Sequence, residues 1–161
     1  MVLLESKISL KTGDNAPDFS LKGIDDEIHS LESYTGSKGL LVIFMCNHCP
    51  YVKAKIDAIK QIHEKFNENI TVVGINSNDS IEYPDDSFEN MKKIASEKGI
   101  KFDYLVDDKQ DVAKSQILVI GQILLNKIRP CKLNHVLEEH VYLHQFLSRL
   151  SSHVFLSHPC L

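Results

Sequence analysis

Apolar and polar positions along the chain change period several times, and each change marks a predicted element. Asp18-Phe19-Ser20-Leu21-Lys22 alternates polar and apolar, Gly23-Ile24-Asp25-Asp26 reverses the chain, and Glu27-Ile28-His29-Ser30-Leu31 returns. That is the pattern of a β-hairpin at a sheet edge, with His29 as an exposed strand residue. Ser30, Glu32, Ser33 and Tyr34 then open a short helical turn closed by Gly36. The run Gly39-Leu40-Leu41-Val42-Ile43-Phe44-Met45 is almost wholly apolar, which predicts a strand buried on both faces. Val52, Ile56, Ile59, Ile62 and Phe66 follow at three- and four-residue steps, the stripe of an amphipathic helix, on which His63 reads as a surface or boundary residue. Asn69 to Asn76 reads as a second buried strand, so strand, helix and strand make a parallel crossover. A helix from Asp86 with Met91, Ile94 and Ala95 inward ends at Lys98-Gly99, a strand spans Phe102 to Asp107, and a further helix runs from Asp108 through Lys114. The polar segment Ser77 to Asp86, with Asn78, Asp79 and Pro84, reads as a solvated acidic loop.

Where the first buried strand gives way to the first long helix stand Cys46-Asn47-His48-Cys49-Pro50. Cysteines three apart in a first helical turn share a face, so their sulfurs can alternate between dithiol and disulfide with little backbone movement. A thiol at a helix N-terminus meets unpaired N–H groups and the positive end of the helix dipole, which favour its thiolate. Cys46, the earlier of the pair and expected to be the more exposed, is the candidate nucleophile. Cys49 then resolves the mixed disulfide, and His48 between them adds positive charge that lowers the thiol pKa. Pro50 suits a first helical turn, where a backbone N–H has no intrahelical partner. Two other readings of the pair stay open. Cys-x-x-Cys is also half of a zinc site, which needs two further ligands, and it can be a pair of inert thiols.

Composition narrows the function classes. With 161 residues, 43% of them hydrophobic and 25% charged, the chain can build one domain with its own core. A formal net charge of −4 gives no electrostatic footprint for nucleic acid or an anionic membrane. No run approaches the roughly 20 apolar residues of a membrane span, and the apolar start Met1-Val2-Leu3-Leu4 is too short for a signal peptide. A cytoplasmic address is expected, where cysteine pairs are more often catalytic or metal-binding than structural. No glycine-rich nucleotide loop is present, so no cofactor is expected, and no metal site is assigned.

Residues 11 to 114, about two thirds of the chain, resemble the thioredoxin-like superfamily, and within it a redoxin or peroxiredoxin-like subgroup. The resemblance rests on the Gly-Asp-x-Ala-Pro-Asp-Phe lead-in from Gly13 to Phe19, on Cys46-Asn47-His48-Cys49-Pro50-Tyr51-Val52, and on Val106-Asp107-Asp108. It implies an α/β fold, the thioredoxin-like three-layer α/β/α sandwich, and thiol-disulfide oxidoreductase chemistry with Cys46 and Cys49 as the reactive pair. The implied partners are protein or small-molecule disulfides and a thiol reductant. Peroxide reduction is less expected. The Pro-x-x-x-Thr-x-x-Cys loop of peroxiredoxins is absent, since Gly39 and Ile43 stand at those places before Cys46, and Val42 and Cys46 before Cys49.

The chain changes character at Ser115. From there to Leu161 it has no Asp and no Ala, its only acids are Glu138 and Glu139, and it carries His135, His140, His144, His153 and His158. The expected organisation is a redox domain over 1–114 and an atypical tail over 115–161 in place of the family's cis-proline, hairpin and last helix. Either the tail is a divergent ending or it is read out of frame or through an intron; the abrupt loss of Asp and Ala favours the latter. A truncated or frameshifted, non-catalytic fold remnant is therefore the second functional hypothesis, and a zinc-binding module the third. Gln116 to Leu125 is apolar enough for a strand or buried helix, Lys132 to Leu150 has helical spacing, and Cys131 and Cys160 read as unpaired thiols.

Overall fold

A computed structural model describes residues 16–115 and 124–127. The hairpin is β1 (Ser20–Gly23) and β2 (Ile28–Ser30), followed by a 3-10 turn at Leu31–Tyr34. Then come β3 (Gly39–Phe44), α1 (Pro50–Phe66), β4 (Ile70–Asn76), a 3-10 turn at Pro84–Asp86 and α2 (Phe88–Lys98). The described chain closes with β5 (Asp103–Val106), α3 (Asp111–Ser115) and β6 (Leu124–Lys127).

The six strands form one sheet in the order β2-β1-β5-β4-β3-β6. β3, β4 and β5 are mutually parallel, with Leu41 opposite Val72 and Ile75 opposite Leu105, while β1 joins β5 and β6 joins β3 antiparallel. The parallel strands lie in the middle because each is apolar on both faces and has to be covered on both. Alternation sorts those side chains into two layers. Leu41, Val72 and Tyr104 face one way and pack with Ile56, Ile59, Ile62 and Phe66 of α1 and Met91 of α2. Leu40, Val42, Val73, Ile75 and Leu105 face the other way, against Phe19, Tyr34 and Val112 of α3. This is the thioredoxin-like α/β arrangement that the sequence implies, with helices on both sides of a central sheet.

Element ends differ from expectation where a side chain intervenes. α3 starts at Asp111 instead of Asp108 because the buried Asp107 carboxylate accepts the N–H groups of Val112 at 3.3 Å and Ala113 at 2.9 Å, which fixes the helix start behind it. α2 starts at Phe88, since Pro84–Asp86 is already a separate 3-10 turn. It ends at Gly99, whose φ of 62° is the left-handed conformation that a glycine adopts at no steric cost. His29 is no plain exposed strand residue: its Nε2 lies 2.9 Å from Asp25 Oδ2 and its ring stacks on Tyr34. His63 is half-buried with its ring edge toward Phe102, a boundary position as expected.

β6 lies beyond residue 114 yet belongs to the same sheet. Its residues Leu124 to Lys127 pair with Val42 to Gly39, covering the edge of β3 that β4 leaves open. The lead-in up to Asn15, residues 116–123, the helical pattern of 132–150, all five histidines of the tail, Cys131, Cys160 and the place expected for a cis-proline lie outside the described residues.

Candidate active site at the end of strand β3

β3 ends at Phe44 and α1 begins at Pro50, so the cysteine pair occupies the link between them. The order strand, cysteines, helix is as the pattern predicts, but the pair does not share a first helical turn. Cys49 is the N-cap, in extended conformation with φ −62° and ψ 121°, and Cys46 stands three residues earlier in the loop. Pro50 at the first helical position requires this: a proline disfavours helical conformation in the residue before it, which holds Cys49 outside the helix. The expectation that Cys46 is the more exposed thiol is also overturned. Cys46 is 6% exposed and Cys49 is half-buried. Cys46 is buried because Met45, beside it, is anchored in the α1-side core, and the Met45 N–H continues the sheet by donating to the Ile75 carbonyl at 2.9 Å.

The segment read as a solvated acidic loop supplies the centre of the site. Asp86 is 2% exposed and lies under the cysteine loop. Its Oδ1 accepts the Asn47 N–H at 2.5 Å and Asn76 Nδ2 at 3.2 Å; its Oδ2 accepts Asn78 Nδ2 at 2.8 Å and lies 2.5 Å from His48 Nδ1. Burial pushes the Asp86 carboxyl up, but the hydrogen bonds from Asn78, the Asn47 N–H, His48 and Asn76 together outweigh it and hold the group below the usual carboxylate range. Because that carboxylate is acceptor-only, the proton between it and His48 sits on Nδ1. Tyr83 stacks on a face of the His48 ring, with centroids 4.6 Å apart and planes 6° from parallel.

A second tier holds the first. Tyr104, fully buried in β5, donates its hydroxyl to Asn47 Oδ1 at 3.1 Å and accepts Asn76 Nδ2 at 3.3 Å, while Asn47 Nδ2 donates to the Asp85 carbonyl at 2.8 Å. Burial, then the nearby Asp86 charge, push the Tyr104 phenol far above its ordinary value, so it serves as a neutral donor. Asn47, Asn76 and Asp86 come from three separate segments, and their meeting at the carboxyl ends of parallel strands is where open α/β sheets place their sites.

Of the residues singled out from the sequence, Cys46, His48 and Cys49 are all at this junction. Cys46 Sγ, a ring nitrogen of His48 and a carboxylate oxygen of Asp86 lie within 4.8 Å of one another. Sequence alone does not single out Asp86, because an acid in a polar loop has the same local pattern whether solvated or buried. The available signal was Asp86-Ser87-Phe88-Glu89, a helix start close after a buried strand.

A model of the AhpC/TSA family matches residues 12–123. The thioredoxin-like protein YneN of Bacillus subtilis (strain 168) is 25% identical over 105 residues, 65% of this chain and 59% of that protein, so the chain spans less than two thirds of that relative. A crystal structure of an uncharacterized conserved protein from Geobacillus kaustophilus is 32% identical, with a TM-score of 0.65 over 85% of this chain and 82% of that one. The thioredoxin domain of a thiol-disulfide oxidoreductase from Bacteroides vulgatus, at 22% identity, shares the fold, with a TM-score of 0.60 over 83% of this chain and 99% of that one. Among the described residues no helix is long and apolar enough to cross a membrane.

Proposed function

We propose that this chain, which belongs to the AhpC/TSA family, is a thiol-disulfide oxidoreductase whose reactive pair is Cys46 and Cys49. One observation carries the reading: two cysteines stand in the strand-to-helix link, with Cys49 capping a 17-residue helix and Cys46 within 4.8 Å of the His48–Asp86 pair. The Cys46 thiolate attacks one sulfur of a disulfide substrate, forming a mixed disulfide and releasing the other sulfur as a thiolate. Cys49 then attacks Cys46 Sγ, closing the Cys46–Cys49 disulfide and releasing the second substrate sulfur, with the Cys49 proton passing to a leaving thiolate. An external thiol reductant restores the dithiol. His48, when it carries a proton on both ring nitrogens, places positive charge beside the Cys46 sulfur, and Asp86 is the positioning residue that holds the ring there. Its burial means that the loop around Cys46 opens before a protein disulfide can reach the sulfur.

Disulfide exchange is preferred to peroxide reduction because neither cysteine stands in the Pro-x-x-x-Thr-x-x-Cys loop. The test is trapping. Cys49→Ser, mixed with a disulfide substrate, accumulates a mixed disulfide at Cys46, identified by mass spectrometry, whereas Cys46→Ser traps little. Accumulation on Cys49 in the Cys46→Ser protein, with none in Cys49→Ser, reverses the roles. Trapping in neither variant, with hydrogen peroxide consumed by the wild type, replaces the reading with peroxidase chemistry.

A further inference from the structure

Cys46, His48 and Asp86 serve the redox reading as nucleophile, modulator and anchor, yet together they are also a set of metal donors of three different kinds. A thiolate, an imidazole and a carboxylate suit a borderline divalent cation such as Zn²⁺, for which three protein ligands and one open position are a recognised arrangement. Their ligand atoms already lie within 4.8 Å of one another. Two of the three are held in a largely water-excluded place, with Cys46 6% and Asp86 2% exposed. Asp86 has the outer hydrogen bonds of a metal-ligating carboxylate, because Asn76, Asn78 and the Asn47 N–H orient it. Tyr83 fixes the plane of the imidazole.

We propose that the reduced protein binds one Zn²⁺ through Cys46 Sγ, a ring nitrogen of His48 and an Asp86 carboxylate oxygen, without Cys49, and that oxidation of the cysteine pair releases it. Cys49 is outside the group of mutually close donors, which separates this site from the two-thiolate zinc half-site suggested by the Cys-x-x-Cys spacing. His48 Nδ1 and Asp86 Oδ2 stand 2.5 Å apart, a proton-bridged distance. Tetrahedral zinc at ordinary N and O bond lengths sets its ligands about 3.3 Å apart. If Nδ1 is the ligating nitrogen, the cation replaces that proton and the two groups part by a fraction of an ångström.

The coordination goes beyond the redox function; only the release step rests on it. There, metal-bound Cys46 thiolate, Cys49 thiol and a substrate disulfide give the Cys46–Cys49 disulfide, one substrate thiolate, one substrate thiol and free Zn²⁺. Both electrons go to the substrate sulfurs. A sulfur in the intramolecular disulfide is no longer a thiolate ligand, so metal occupancy and oxidation exclude each other.

The test titrates the reduced full-length protein with Zn²⁺ by calorimetry and with Co²⁺ by absorption. The wild type takes up one equivalent, and the Co²⁺ form shows tetrahedral d–d bands with a sulfur-to-metal band of single-thiolate intensity. Cys49→Ser binds within a fewfold of wild type, Asp86→Asn loses at least tenfold in affinity, and Cys46→Ser loses uptake. Adding a small disulfide oxidant releases the metal from wild type but leaves it bound in Cys49→Ser. A two-thiolate Co²⁺ spectrum overturns the proposal whether or not any variant folds, as does uptake lost in Cys49→Ser but kept in Asp86→Asn, or no stoichiometric uptake by the wild type. Metal bound as described, with no mixed disulfide trapped in either cysteine variant, sinks the redox function and the release step while leaving the coordination in place.

Discussion

Asp86 concentrates most of the residue-scale consequences, because four hydrogen bonds converge on one buried carboxylate. Asp86→Asn turns one acceptor oxygen into a donor facing other donors, and a buried mismatch of that kind costs about 1–3 kcal/mol. The pH dependence has a definite sign. The folded-state pKa of Asp86 is depressed, so its contribution is full above the unfolded carboxylate value of about 3.9 and fades as pH falls through the lower folded value. Urea unfolding should therefore show Asp86→Asn clearly less stable than wild type at neutral pH, with the gap shrinking toward pH 3. An equal gap at both pH values would mean that the charge is not what matters. For the thiols, His48→Ala should slow the alkylation of Cys46 by iodoacetamide at neutral pH severalfold, read by mass spectrometry. An unchanged rate would show that His48 does not act on Cys46, and a wild type that forms no Cys46–Cys49 disulfide in mild oxidant removes the redox reading.

At the scale of elements, the loop after β3 depends on how closely the central strands pack. A methyl group at Gly74 of β4 would lie 2.8 Å from Met45 Sδ, 3.1 Å from Tyr104 Cδ2 and 3.2 Å from Phe102 Cε2. Met45 precedes Cys46, and Tyr104 donates to Asn47. Gly74→Ala thus overpacks the core directly behind the cysteine loop, at about 1–3 kcal/mol. Thermal melting should show the loss, and the alkylation rate of Cys46 should change with it. An unchanged rate would show that the loop is not held from behind by this packing. Met91→Ala on α2 is the comparison: it empties a fully buried position in the same layer, at about 2–5 kcal/mol, and separates loss of packing from overpacking. The continuous apolar runs of β3 and β4 and the stripe on α1 made these elements legible in the sequence to within a residue or two. The helix starts were less so, because Pro50 and Asp107 act through conformation and capping and leave no mark on hydrophobic period.

For the whole molecule, the question is what closes the sheet beside β3. β6 pairs with Gly39 to Val42, and removing everything after Ser115 would expose that edge, a template for intermolecular strand pairing. The shortened chain should melt at lower temperature, lose hydrogen-exchange protection at the amides of Leu40 to Val42 that face β6, and associate with rising concentration. Protection and association equal to the full chain's would show that β6 contributes nothing to the edge. The change of composition at Ser115 marks a shift in the chain's character but not a boundary of the sheet, because strand pairing uses backbone groups that any composition supplies.

Period and spacing by themselves determined the α/β class, the parallel core, the hairpin and the position of the cysteines between strand and helix, since each rests on local pattern and short-range geometry. Only the tertiary structure decided that Cys46 is the buried thiol, that Cys49 caps the helix instead of sharing its first turn, and that Asp86 joins them. Cys46 and Asp86 stand 40 positions apart in the sequence, and it is the parallel pairing of β3 with β4 that carries the chain from one back to the other. No local pattern encodes such a meeting, because its cause is the register of two strands and the turn that follows the second.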